Sequence, residues 1–404
     1  MYKTILSFIL LACLSFACNL SDGPRPGPLD EMKLTIQSLE LIESDNLFGL
    51  ELFKTVLKND ESENIMISPL SVALALGMTY NGAEGTTEEA MRETLKLSGL
   101  TDEQINASYK SIIDQLVKLD PKVILNIANS IWYKLGYPVE ADFIKVNQDY
   151  YYADVNELDF GRSDAVDIIN GWIDTKTNGL ITKMLDQIPG NVVMYLINAI
   201  YFKGIWQYEF KKKDTHDANF YPAPGETKKV SMMQMEQDLE YYRNETFSAV
   251  SLPYGDGEFS MVVMLPEEGK TTDDVVEGMD SENWKEWMEG FNTTKVNIQL
   301  PRFKYGFKKL LNQDLTDMGM GVAFTGDADF TGINPAGALY ISRVIHQTFI
   351  EVNEEGTEAA AATIVEMREL SAMGVSFVVN RPFIFVIKEN SSDVLLFMGK
   401  VSDP

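Results

Sequence analysis

Two histidines, His216 and His346, are all the imidazole that this 404-residue chain holds, which leaves little material for acid–base or nucleophilic chemistry. His216 follows Lys211-Lys212-Lys213-Asp214-Thr215, a stretch that reads as a solvated loop. There is no Gly-x-Ser-x-Gly elbow, His-Glu-x-x-His helix, phosphate-binding loop or dinucleotide fingerprint. Asp327-Ala328-Asp329 has the opening acids of a calcium loop but lacks the later acidic ligand, and reads as a surface turn. Both cysteines, Cys13 and Cys18, fall in the first eighteen residues, so the rest of the chain has neither a thiol nucleophile nor a disulfide. No nucleophile-and-base pair emerges and no cofactor or metal is implied. The residues argue against an enzyme.

The segment Glu354-Glu355-Gly356-Thr357-Glu358-Ala359-Ala360-Ala361-Ala362-Thr363 points to a mechanical role instead. Its four consecutive alanines favour helix by propensity, yet a short exposed alanine helix is marginal in water. With period two, Thr357, Ala359, Ala361, Thr363, Val365 and Met367 point one way, a face without charge and without bulk until its far end. Glu358, Ala360, Ala362, Ile364, Glu366 and Arg368 point the other way and carry the charge. Such a segment is suited to wait outside a sheet and later join it as a strand. No proline occurs between Glu351 and Arg381, so no ladder donor would be missing.

This segment resembles the hinge of the reactive-centre loop of the serpins, suicide inhibitors of serine proteases. Other blocks agree in order. Asn64-Ile65-Met66-Ile67-Ser68-Pro69-Leu70-Ser71 is similar to the family's early Ser-Pro block, and Asn198-Ala199-Ile200-Tyr201-Phe202-Lys203-Gly204-Ile205-Trp206 to its central signature. Val379-Asn380-Arg381-Pro382-Phe383 and Leu396-Phe397-Met398-Gly399-Lys400-Val401 resemble its C-terminal signature. The resemblance runs from about residue 44 to the end. It implies an α+β fold of three sheets with eight or nine helices, one domain over 44–404, and an exposed loop over about 354–376. Non-inhibitory members carry bulky, charged or proline residues in the hinge, and every hinge position here is permissive.

The resemblance also implies roles for residues. His346 matches the central-sheet histidine, which would bond Asn198 and lie near Ser68 and Ser71 where the sheet opens. Trp206, Arg302 and Glu354 match positions at the top of the sheet, with Arg302 and Glu354 as an ion pair. An exposed pair of this kind contributes about 0–1 kcal/mol. The cleaved bond usually lies fourteen residues past the hinge glycine, which gives Leu370-Ser371. Counting from the C-terminal signature gives Ser371 in Leu370's place, and Arg368 and Met367 are alternative baits. Leucine would suit chymotrypsin-like or subtilisin-like proteases, Met367 or Val365 elastase-like ones, and Arg368 trypsin-like ones.

The net charge of −26 disfavours nucleic acid and anionic lipid headgroups as partners. The helical stretch Asp102 to Lys118 mixes both signs and shows no basic stripe for a polyanion. Lys3 followed by the apolar run Ile5–Ala17 reads as a signal peptide. Its end, Leu14-Ser15-Phe16-Ala17-Cys18, resembles the cleavage box of bacterial lipoproteins, with Cys18 as the acylated residue. Residues 1–18 are thus expected to be a signal and 19–43, rich in proline and glycine at the start, a flexible tether. A cell-envelope lipoprotein of the outer membrane or cell surface is expected, with a secreted protein as the alternative, the membrane reached through the lipid alone, and the body monomeric. A non-inhibitory binding or chaperone-like protein is the rival reading.

The positioning elements are legible in outline. Leu47, Phe48, Leu52, Phe53 and Val56 recur at helical spacing, and Ser68-Pro69 fits a helix start. Ala165 to Leu180 reads as helix. Val123 to Trp132 and Val192 to Phe202 read as strands covered on both faces, and strands dominate from Val230 onward.

Overall fold

The structure, a computed structural model, describes residues 30–357 and 374–404. Nine α-helices are found among them: α1 (Ile36–Lys58), α2 (Pro69–Tyr80), α3 (Gly85–Thr94), α4 (Asp102–Leu116), α5 (Ala141–Tyr151), α6 (Ala165–Lys176), α7 (Thr272–Glu277), α8 (Ser281–Glu289) and α9 (Asn312–Leu315). The strands are β1 (Asn64–Ile67), β2 (Val123–Lys134), β3 (Asp154–Leu158), β4 (Met194–Ile205), β5 (His216–Phe220), β6 (Lys228–Arg243), β7 (Phe247–Tyr254), β8 (Phe259–Pro266), β9 (Asn292–Pro301), β10 (Phe303–Leu310), β11 (Ile345–Asn353), β12 (Gly356–Thr357), β13 (Val375–Val378), β14 (Phe383–Glu389) and β15 (Leu395–Val401).

Local chemistry accounts for the helix starts. The Ser68 hydroxyl accepts from the Ser71 amide and Pro69 occupies the first turn of α2, where its missing N–H costs nothing. Thr101 and Gln104 form a reciprocal capping box at α4. The tether expected to run to residue 43 ends earlier, because α1 begins at Ile36 under a Thr35 cap. Its first turns disguise themselves in the sequence: Ser38, Ser44 and Asp45 are buried, whereas Ile36 is 70% exposed. The preceding segment is also docked, the Asp30 amide donating to Glu258 Oε1 at 3.2 Å and the Met32 amide to the Ser391 hydroxyl at 3.4 Å.

Among the described residues the strands form two hydrogen-bonded sheets where three were expected. In the nine-stranded sheet the order is β1-β15-β14-β8-β7-β6-β9-β13, with β5 also on β6. The long β6 joins what would be separate sheets, since it pairs with β9 along most of its length and with β7 at Glu240–Arg243. Every residue of β8 and β14 is buried, giving the near-continuous apolar runs of strands covered on both faces. The six-stranded sheet has the order β10-β11-β12-β4-β2-β3 and is packed on α2 and α6. Its β2 is not covered throughout, as Ile124 is 49% exposed.

Candidate functional site

In the six-stranded sheet, β4 and β11 share no ladder of their own among the described residues. Among those residues they are joined through β12, the strand Gly356–Thr357 at the start of the alanine segment. β12 is antiparallel to both neighbours, with Thr357 opposite Gly204 on β4 and Val352 on β11. The hinge has therefore already taken one step into the sheet.

The turn that feeds β12 is held from several sides. Three successive carbonyls are taken by donors that follow β4: Asn353 O by Trp206 Nε1 at 2.9 Å, Glu354 O by the Phe210 amide at 3.0 Å, and Glu355 O by the Trp206 amide at 2.8 Å. Arg302, Trp206 and Glu354 are brought together at this turn. Arg302 Nε donates to Glu354 Oε1 at 2.9 Å, and Thr215 Oγ1 to the same oxygen at 2.5 Å. The pair is not the exposed one anticipated, for the Glu354 side chain is only 2% accessible against 45% for Arg302. Burial alone would raise the Glu354 pKa, but the bonds from Arg302 and Thr215 outweigh it and hold the carboxyl below its usual range. Lys212 pairs with Glu355 at 2.5 Å.

Backbone approach at this point excludes side chains. Gly356 has φ +146°, and a Cβ there would lie 2.1 Å from the Gly204 carbonyl oxygen. Gly204 in turn lies over Tyr254, whose ring a Cβ would meet at 2.7 Å. Tyr254 is fully buried, stacks on Trp206 at 4.4 Å and 12°, and places its hydroxyl 2.7 Å from Thr357 Oγ1.

Lower in the sheet, Ser68, Ser71, Asn198 and His346 are all buried and near one another. The expected bond between His346 and Asn198 is not made among the described residues. Instead His346 Nε2 accepts from the Ser68 amide at 3.0 Å, and Asn198 Oδ1 accepts from the Ser71 hydroxyl at 2.5 Å. The reason is topological: His346 is on β11 and Asn198 on β4, the two strands that are not paired with each other. The α2 start bridges them. Ser68 Oγ also donates to Leu396 O at 2.7 Å, and Asn198 Nδ2 to Asn129 Oδ1 at 2.7 Å. A ring nitrogen that accepts is unprotonated, so His346 is neutral with its proton on Nδ1. Burial pushes its pKa down to about 4. Beside this cluster lies a cavity of about 490 Å³, lined by α2 residues Val72 and Ala75, by Leu196 and Asn198, and by Ile345 and His346.

Several contributors were missed by the sequence reading. Lys212 and Thr215 lie in the stretch read as a solvated loop, and Tyr254 and Asn129 carry no local signal, since their partners are distant in sequence. His216 is exposed, as expected, but it begins β5 rather than lying in a loop: it stands opposite Met232 on β6, with its ring Nδ1 3.2 Å from the Asp214 carbonyl. Glu358, Ala359, Ala360, Ala361, Ala362 and Thr363 of the hinge, the bait residues Met367, Arg368, Leu370 and Ser371, and Cys18 lie outside the described residues.

Comparison with known proteins agrees with this geometry. The family description Serpin (serine protease inhibitor) matches residues 43–404. A serpin-like protein of Methanosarcina acetivorans is 34% identical over 92% of this chain and 89% of its own. The leukocyte elastase inhibitor of Bos taurus is 34% identical over 90% of this chain and 100% of its own. Among solved structures, the thermophilic serpin tengpin in its native state has a TM-score of 0.84 at 34% identity, covering 94% of this chain and 97% of that one. A cleaved serpin 42Da superposes with a TM-score of 0.82 at 28% identity, over 91% and 99% of the two chains. The chain belongs to the serpin family of serine protease inhibitors.

Proposed function

We propose that this protein inactivates extracellular serine proteases as a suicide substrate: cleavage of its loop, first at Leu370-Ser371, frees the hinge to extend β12 between β4 and β11 and traps the acyl-enzyme. One observation carries the reading. Because β12 is antiparallel to both neighbours, its register can be continued along each of them independently. Thr357 is opposite Gly204 and Val352; carried on from there, residue 359 would come opposite Phe202 and Ile350, residue 361 opposite Ile200 and Thr348, and residue 363 opposite Asn198 and His346. Directly opposed residues share a face. The alanines would thus meet largely apolar partners, and Thr363 the polar cluster that its hydroxyl can join. The hinge sequence would thus suit the two lips of the gap.

Extension from Gly356 to Leu370 would span about 50 Å at roughly 3.3 Å per residue. A protease held by its acyl bond at the cut end would be carried that far along the sheet. Leu370 at the bond favours chymotrypsin-like or subtilisin-like targets; relatives named as leukocyte elastase inhibitors support elastase-like targets too, with Met367 as bait, and Arg368 would serve trypsin-like ones. The N-terminal pattern supports export with a lipid on Cys18, which palmitate labelling lost in Cys18→Ala would verify. Incubation with chymotrypsin tests the inhibitory reading: a boiling-resistant band of summed mass supports it, and clean loop cleavage with full residual protease activity refutes it in favour of a non-inhibitory binding protein.

A further inference from the structure

We propose that Tyr254 is a positioning residue for inhibition, a receptor whose hydroxyl holds Thr357 in the sheet before cleavage and so decides how quickly the hinge moves on once the loop is cut. The inference rests on the insertion reading above but on a different observation, the pairing of two buried hydroxyls.

The Tyr254 ring has no freedom to aim elsewhere. Trp206 is stacked on it at 4.4 Å, the Phe202 ring meets it edge-on at 5.1 Å, and Gly204 leaves only the space of a hydrogen above it. Its hydroxyl sits 2.7 Å from Thr357 Oγ1, in a contact where both residues are buried, with Thr357 4% exposed. Neither hydroxyl has a second partner among the described residues, so each satisfies the other. Burial pushes the Tyr254 pKa up, so the phenol stays protonated and can donate or accept. Leaving a buried hydroxyl unpartnered is costly, whereas replacing both partners by apolar groups of like shape is close to neutral. The pair thus favours the state with the hinge engaged, and breaking it from either side favours release of the hinge.

Release matters because trapping is a race between strand insertion and hydrolysis of the acyl bond. A hinge already seated begins the race one step ahead. Tyr254→Phe keeps the ring and its stacking and removes only the hydroxyl. We expect it to speed amide exchange at Gly356–Thr357 in the uncleaved protein by roughly 5- to 100-fold and to raise the number of inhibitor molecules consumed per protease trapped. Thr357→Val should do the same. The double variant Tyr254→Phe/Thr357→Val should return towards wild type in both readouts, which a merely structural role for the tyrosine would not produce. Additive effects in the double variant, or unchanged exchange in both single variants, overturn the proposal. Should Tyr254→Phe fail to fold, Thr357→Val alone decides: faster hinge exchange supports the receptor and unchanged exchange refutes it. The exchange measurement needs no protease, so it fails independently of the inhibitory reading.

Discussion

The two ends of the gap between β4 and β11 are built from different chemistry. At the upper end the hinge turn is held by three backbone carbonyl bonds, by Arg302 and Thr215 on a buried Glu354, by Lys212 on Glu355, and by Tyr254 on Thr357. At the lower end the bonds join neutral groups: the α2 start presents the Ser68 amide to His346 and the Ser71 hydroxyl to Asn198. Charge and backbone make the upper end a fixed entry. The lower end is a set of single hydrogen bonds in which the Ser68 and Ser71 hydroxyls, the Asn198 amide and the His346 ring can each donate and accept, so they can be re-paired when a new strand brings its own hydroxyl. One end is thus shaped to hold the hinge and the other to give way.

Substitutions at the two ends should therefore differ in the size of their effects. The largest belongs to Thr357→Arg, which puts a guanidinium where a buried hydroxyl meets Tyr254. Conversion from inhibitor to plain substrate is expected; a gel still showing full complex formation would mean that entry is not at β12. Gly356→Ala comes next, because its Cβ would lie 2.1 Å from the Gly204 oxygen at φ +146°. A loss of about 3 kcal/mol from the engaged hinge should appear as protease nicking within the hinge turn.

The lower end should be sensitive to acid in a way the upper end is not. His346 is neutral when folded, with its pKa lowered by burial to about 4. The unfolded chain takes up that proton below about pH 6.5. Between these values the unfolded state binds more protons, so stability falls as pH drops from 6.5 and levels off below 4, by about 3 kcal/mol at most. Denaturation midpoints across this range should slope for the wild type and lie flatter for His346→Gln. For Glu354 the sign is the same but the cause and the window differ: hydrogen bonds hold its carboxyl low, so its contribution is present above about pH 4.5 and is lost as pH falls through the lowered value.

Smaller effects test the clamp. Arg302→Ala leaves Glu354 buried with Thr215 as its remaining side-chain partner, a cost of about 1–2 kcal/mol that thermal unfolding can resolve. Lys212→Ala removes a pair whose lysine is 62% exposed, and should change stability by about 0–1 kcal/mol. Both carboxylates are buried, so equal losses from the two would indicate that Glu354 anchors the turn no more than Glu355 does.

Much of the fold was legible because its signals are local. Ser68-Pro69 marks the start of α2, and the apolar runs Phe259–Pro266 and Phe383–Glu389 are buried throughout. The site was legible where motif and position coincide, as for Glu354, Arg302, Trp206 and His346. What could not be read depends on contacts between distant segments. Ser44 and Asp45 disguise the apolar face of α1 because their partners lie on other turns and other helices. Tyr254 and Thr215 are 103 and 139 residues from the hinge groups they bond. The His346–Asn198 bond was misplaced because motif order says which residues share a region but not which strands are paired.

The measurement that bears most directly on the account is hydrogen exchange along β4 and β11, with the melting temperature, before and after the loop is cut. Extension of β12 predicts new protection from Asn198 to Gly204 and from His346 to Val352, together with a higher Tm. Unchanged exchange on both strands and an unchanged Tm after complete cleavage would contradict it.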